Sequence, residues 1–217
     1  MVSRPGQTLI EVLLALAIIL VGIVSLISAL VNAQITAAAS IDSAIALQLA
    51  REPIEAARFI RDSNWLKRET GLGANYNDDL VWDNFVDPND YTAIYTWDPP
   101  LADPAFAIQF NFDPDSNTDP LTQIYIGPDG LYRHSPAGFP PPTFAATIYS
   151  RYVTLYPICS SNGGVTETLL TADGQTCGVG STAIGLQVNS TVAWSSRGTD
   201  RVISLEERLY DWRYAAP

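Results

Sequence analysis

One carboxylate, Glu11, stands just inside an apolar run that contains no other charged residue until Asp42. Burying a charge in such surroundings costs up to a few kcal/mol, roughly 3. Two readings of Glu11 are open on residue chemistry alone. It is hydrated at the edge of the run, or it meets a positive partner. Two cysteines, Cys159 and Cys177, lie far away in the distal half. Outside the cytoplasm they are expected to form a disulfide closing a loop, worth roughly 3 kcal/mol. The alternative is a pair of small apolar side chains.

Other residues with chemical potential are expected to be inert. Asp113-Pro114-Asp115-Ser116-Asn117-Thr118-Asp119 spaces oxygen donors like the start of a calcium loop. Thr118 and Ile124, however, stand where such a loop needs its glycine and its bidentate glutamate. A polar turn is the plainer reading. His134 is the single histidine, set in a Ser/Pro/Gly context, and it reads as a surface residue. Two thiols and one histidine do not make a four-ligand zinc site. No nucleophile elbow, zinc-protease helix, phosphate loop or dinucleotide fingerprint accompanies them. No enzyme, metal or cofactor is expected. Asn189-Ser190-Thr191 fits a glycosylation sequon but falls inside an expected strand. Gly138-Phe139-Pro140-Pro141-Pro142 is read as a stiff connector, with an adhesive loop as the alternative.

The element that positions Glu11 is the most legible part of the chain. From Val12 to Val31 nothing is more polar than Ser25, Ser28 and Gly22. At 1.5 Å per residue, this run spans about 30 Å, the thickness of a bilayer core. A secretory signal has a shorter apolar region, about 7–15 residues. Arg4 precedes the run and favours a cytoplasmic N-terminus, with the rest of the chain outside. The helix is expected to continue through the Ala/Leu/Ile/Gln-rich residues 32–52. Pro53 is expected to break or kink it, or to start a fresh helix. Asp62-Ser63-Asn64 reads as its end. A straight helix from Thr8 to Asn64 would be roughly 85 Å long.

Beyond Lys67, prolines, glycines and Asn/Asp clusters punctuate short alternating segments. Strands are expected at Ala105–Phe112, at Ile124–Ile126 and Leu131–Arg133 around a Gly127-Pro128-Asp129-Gly130 turn, and at Ala145–Leu155. A final hairpin pairs Gly185–Trp194 with Arg201–Trp212 across a Ser195–Asp200 loop. The expected fold class is α+β, a long N-terminal helix packed on an antiparallel sheet. The net charge of −11, from 23 acidic against 12 basic residues, argues against nucleic acid as a partner. Arg51, Arg58, Arg61, Lys67 and Arg68 cluster in sequence. Arg51–Glu55 and Arg58–Asp62 are spaced i,i+4 and read as a solvated, salt-bridged helix face.

The segment Gly6-Gln7-Thr8-Leu9-Ile10-Glu11-Val12-Leu13-Leu14-Ala15-Leu16-Ala17-Ile18 resembles the processing and methylation motif of type IV prepilins and type II secretion pseudopilins. The resemblance covers residues 5–31 and continues more weakly to about Trp65. Ala50–Trp65 is similar to the membrane-distal helix of minor pilin-like proteins. It implies cleavage after Gly6 by a prepilin peptidase and methylation of the new N-terminus at Gln7, where the family usually has phenylalanine. Glu11 would then be the fifth mature residue, neutralising the N-terminal amine of a neighbouring subunit. A charge pair in apolar surroundings is far less costly than either charge alone.

On this resemblance residues 1–6 are a leader and 7–65 the helix, transmembrane over about 9–31. Residues 66–217 form an extracytoplasmic β-rich domain. The implied partners are other subunits in a helical filament, the peptidase, the inner-membrane assembly machinery and membrane lipid. The location is the inner or plasma membrane in a single pass, then a cell-surface filament. A type II secretion pseudopilin, a membrane-anchored binding domain that never polymerises, and a secreted protein cut near Ala37–Ala39 are the alternatives.

Overall fold

The computed structural model describes residues 9–69, 92–97, 108–111, 122–134, 143–161, 166–171, 175 and 177–211. Helix α1 runs without interruption over Leu9–Glu69. It is followed by β1 (Thr92–Trp97), β2 (Ile108–Asn111), β3 (Gln123–Ile126), β4 (Tyr132–His134), β5 (Ala145–Ser161), β6 (Thr166–Leu169), β7 (Ser181–Ser196) and β8 (Thr199–Tyr210). Every pairing is antiparallel. The architecture is the expected α+β, an apolar N-terminal helix with an antiparallel sheet. The chain divides into two compact units, residues 1–44 and residues 45–217.

In the second unit β5 is the spine. β7 pairs with it from Tyr149↔Trp194 to Ser161↔Ser181, and β3, β1 and β6 also pair with it. The alternation in β5 and β7 sends Tyr149, Arg151, Val153 and Leu155, with Leu186, Val188, Val192 and Trp194, to one buried face. The C-terminal part of α1 packs there. Ala46, Leu49 and Ala50 meet Ile124, Tyr149, Val192 and Trp194. Ile54, Ala56, Ala57 and Ile60 meet Val153, Leu155, Leu186, Val188 and Leu209. Ala46, Ala50 and Ala57 are fully buried. Their spacing of four and seven residues puts three small side chains on one stripe, so the helix backbone approaches the sheet closely.

Two turns follow local chemistry. Between β3 and β4, Gly130 adopts φ 78°, Gly130 N–H donates to Gly127 O and Asp129 Oδ1 accepts from Leu131 N–H. Between β7 and β8 the loop is tighter than the Ser195–Asp200 span anticipated. Arg197 (φ 55°) and Gly198 (φ 75°) alone make the turn, both left-handed as a two-residue hairpin requires. β5 and β7 outrun their expected limits, and β1 and β6 were not anticipated. β5 continues past Pro157, where the register with β7 shifts between Ile158 and Cys159. A shift of this kind accommodates a strand proline, which has no N–H for the ladder. Ile108–Asn111 is the described part of the Ala105–Phe112 segment.

Pro53 neither ends nor restarts the helix, and Asp62-Ser63-Asn64 does not close it. Past that point Trp65 is buried, and the Arg61 guanidinium lies 4.6 Å from the centre of its ring. That packing carries α1 another turn.

Candidate functional site

Two features of α1 combine unusual chemistry with a defined position. The first is its apolar stretch. Leu9, Ile10 and Val12 through Val31 display large exposed apolar side chains around the whole circumference, from Leu9 at 78% exposed to Val12 at 45%. A helix apolar all round is covered by a bundle or by lipid. This one is long and apolar enough to cross a membrane. Four hydroxyls, one in this stretch and three just beyond it, bond within the helix. Ser25, Thr36, Ser40 and Ser43 donate to the carbonyls of Val21, Asn32, Thr36 and Ala39 at 2.8–2.9 Å. In a bilayer every polar group must find such an internal partner.

Glu11 is exposed in the first turn, where a carboxylate complements the helix dipole. Among the described residues it has no hydrogen-bond or ion-pair partner. Gly6 and Gln7, the expected processing residues, lie outside the described residues. So do Asp113–Asp119 and Gly138–Pro142.

The second feature surrounds Arg151, and sequence reasoning missed it. Proline has no N–H, so Pro53 leaves the carbonyl of Leu49, four residues back, without its helical donor. Arg151 supplies one. From the centre of β5 its Nη1 donates to Leu49 O at 2.9 Å and to Glu52 Oε2 at 2.6 Å. Its Nε donates to His134 Nε2 at 3.3 Å. The arginine side chain is 1% exposed, while Glu52 keeps 39% of its surface in water. One guanidinium thus mends the helix at its proline, neutralises a helix carboxylate and ties in β4. A buried ion needs such partners, because an unpaired one costs several kcal/mol, roughly 3–5.

His134 is therefore not a surface residue. It is 6% exposed on β4 with its Nε2 facing the guanidinium. The arginine was detectable in principle. In Ala145–Leu155 it occupies an inward position between Tyr149 and Val153, where a charge demands a partner.

The helix charges expected to form i,i+4 pairs are used differently. Arg58 reaches Glu207 on β8, with Nε donating to Oε1 at 2.7 Å, and pairs with Glu55 at 2.6 Å. Asp62 is taken by Arg61. The hydrogen bond that Arg58 donates to Glu207 is the main reason its guanidinium is held above its ordinary range. Burial opposes that shift, and Glu55 adds to it.

Cys159 and Cys177 are joined by a disulfide with Cα atoms 5.6 Å apart. It ties the end of β5 to the segment leading into β7. Among the described residues no three His, Cys, Asp or Glu side chains gather to hold a metal ion. Comparison with family models, with curated proteins and with solved structures finds no match for this chain.

Proposed function

We propose that the chain is a structural subunit of a type IV pilus-like filament, of the minor pilin kind. The single observation that carries this reading is the join between motif and element. Gly6-Gln7-Thr8-Leu9-Ile10-Glu11 leads directly into an apolar helix whose only carboxylate before Asp42 is Glu11. Cleavage after Gly6 would create an ammonium at Gln7, one helical turn from Glu11. The apolar helix would hold the subunit in the inner or plasma membrane as a single pass. Glu11 would then select register by pairing with the amine of a neighbouring subunit. The β-rich unit would stand outside the membrane and decorate the filament. The role is assembly, with no catalytic step and no cofactor. A type II secretion pseudopilus subunit shares this motif and this mechanism.

The test is the intact mass and N-terminal sequence of the protein recovered from cells with and without a prepilin peptidase. The expected mature chain begins at Gln7, only when the peptidase is present. Retention of Met1, or a cut near Ala39, defeats the reading.

A further inference from the structure

β8 is the outermost strand on its side of the sheet. β7 covers one of its edges throughout, from Gly185↔Tyr210 to Ser196↔Thr199. Among the described residues nothing pairs with the other edge. Exposed edges are usually blunted by proline, by charged side chains (lysine above all) or by a bulge. β8, with the sequence TDRVISLEERLY, has neither proline nor lysine, and its register with β7 is unbroken. Four of its five charged residues, Asp200, Arg201, Glu207 and Arg208, are complementary to its own reverse.

We propose that β8 is a self-pairing edge, which joins two copies of this chain antiparallel about a two-fold axis at Ser204. In that register Asp200 faces Arg208, and Arg201 faces Glu207, which also accepts from Arg58 of its own helix; Glu206 faces Val202. Ile203 faces Leu205. Both are partly buried against the core on the helix side, so the apolar strip continues into the second copy. Cross-strand pairs of these kinds are the stabilising unit of a sheet. Neighbouring registers lose the match. An axis at Ile203 sets Asp200 against Glu206, and an axis at Leu205 sets Ile203 against Glu207. Register is thereby specified by side chains on both faces. The contact is isologous, so it closes on itself and yields dimers. It also reverses strand direction, and thus bridges two assemblies without extending a one-directional one. It does not depend on the filament reading.

Directly facing residues in an antiparallel pair have Cα atoms about 4.5–5.5 Å apart, within disulfide reach. Both native cysteines are already paired. The experiment uses the full-length chain in detergent micelles. Ser204→Cys is oxidised in parallel with Ser195→Cys, an exposed position one strand inward. Covalent dimer is expected to form at least tenfold faster from Ser204→Cys. Adding Asp200→Arg should slow it severalfold, and adding Arg208→Asp as well should restore it. Thermal unfolding of each variant checks that the fold is kept, since Asp200 and Arg208 are exposed. Equal rates at the two cysteines, or a rate indifferent to Asp200→Arg, overturn the proposal. Association through the apolar helix alone would give one of those two results.

Discussion

The two stretches of α1 obey the same backbone geometry and solve opposite problems. In residues 9–44 four hydroxyls find partners inside the helix. The hydroxyls of Ser25, Thr36, Ser40 and Ser43 bend back to carbonyls four residues earlier, and the apolar side chains face outward. Such a helix suits an apolar surrounding. In residues 45–69 the helix is incomplete by itself. Pro53 strips Leu49 of its donor, and Arg151 from β5 restores it. The first stretch keeps its helical ladder and four of its hydroxyls bonded within itself and is deficient in burial. The second is well buried and depends on the sheet for hydrogen bonds and charge balance.

The sharpest way to break that contrast is to remove Arg151. Arg151→Met should cost roughly 1–3 kcal/mol of unfolding free energy, because it leaves Leu49 O without a donor, while Glu52, 39% exposed, can turn to water. The second unit should lose cooperative unfolding in denaturant first. In a Pro53→Ala background a helical N–H returns to Leu49 O, so the same substitution should cost less. A double-mutant cycle by denaturant unfolding measures that coupling. An additive cycle would show that Arg151 does not mend the helix.

The first stretch is tested by a charge that the second would tolerate at its surface. Ile19→Lys should raise the cost of membrane insertion by roughly 2.5–3.5 kcal/mol. Fractionation of cells should move the protein out of the membrane pellet, while the disulfide-bonded unit keeps its unfolding midpoint.

The smallest effect comes from one swap made twice. Ala50→Leu overfills the helix–sheet contact and should cost roughly 1–3 kcal/mol. Ala29→Leu, on the exposed apolar stretch, should leave unfolding of the second unit unchanged. Equal effects would erase the distinction between the two stretches.

Local pattern made much of this legible. The apolar run of Val12–Val31, the Gly127–Gly130 turn and the alternation in Gly185–Trp194 each depend on neighbours a few residues away. All of them stand where expected. Boundaries were less legible. α1 passes Pro53 and Asn64 because distant residues intervene. Arg151 mends one position, and burial of Trp65 stabilises the other. β6 was invisible because its short Thr-Glu-Thr-Leu segment has little pattern of its own, and pairing with β5 stabilises it.

By itself the sequence determined where a charge-free helix begins, which carboxylate stands at its mouth, and that a helix meets an antiparallel sheet. These follow from composition and period, which are properties of adjacent residues. Only the tertiary structure decided the partners of the ions. Arg58 turned from Asp62 to Glu207, and His134 turned from solvent to Arg151. Arg151 crossed nearly a hundred residues to Glu52, 99 in sequence. The physical reason is that a buried guanidinium takes whichever acceptors the fold leaves unsatisfied. Which acceptors those are is set by packing rather than by distance along the chain.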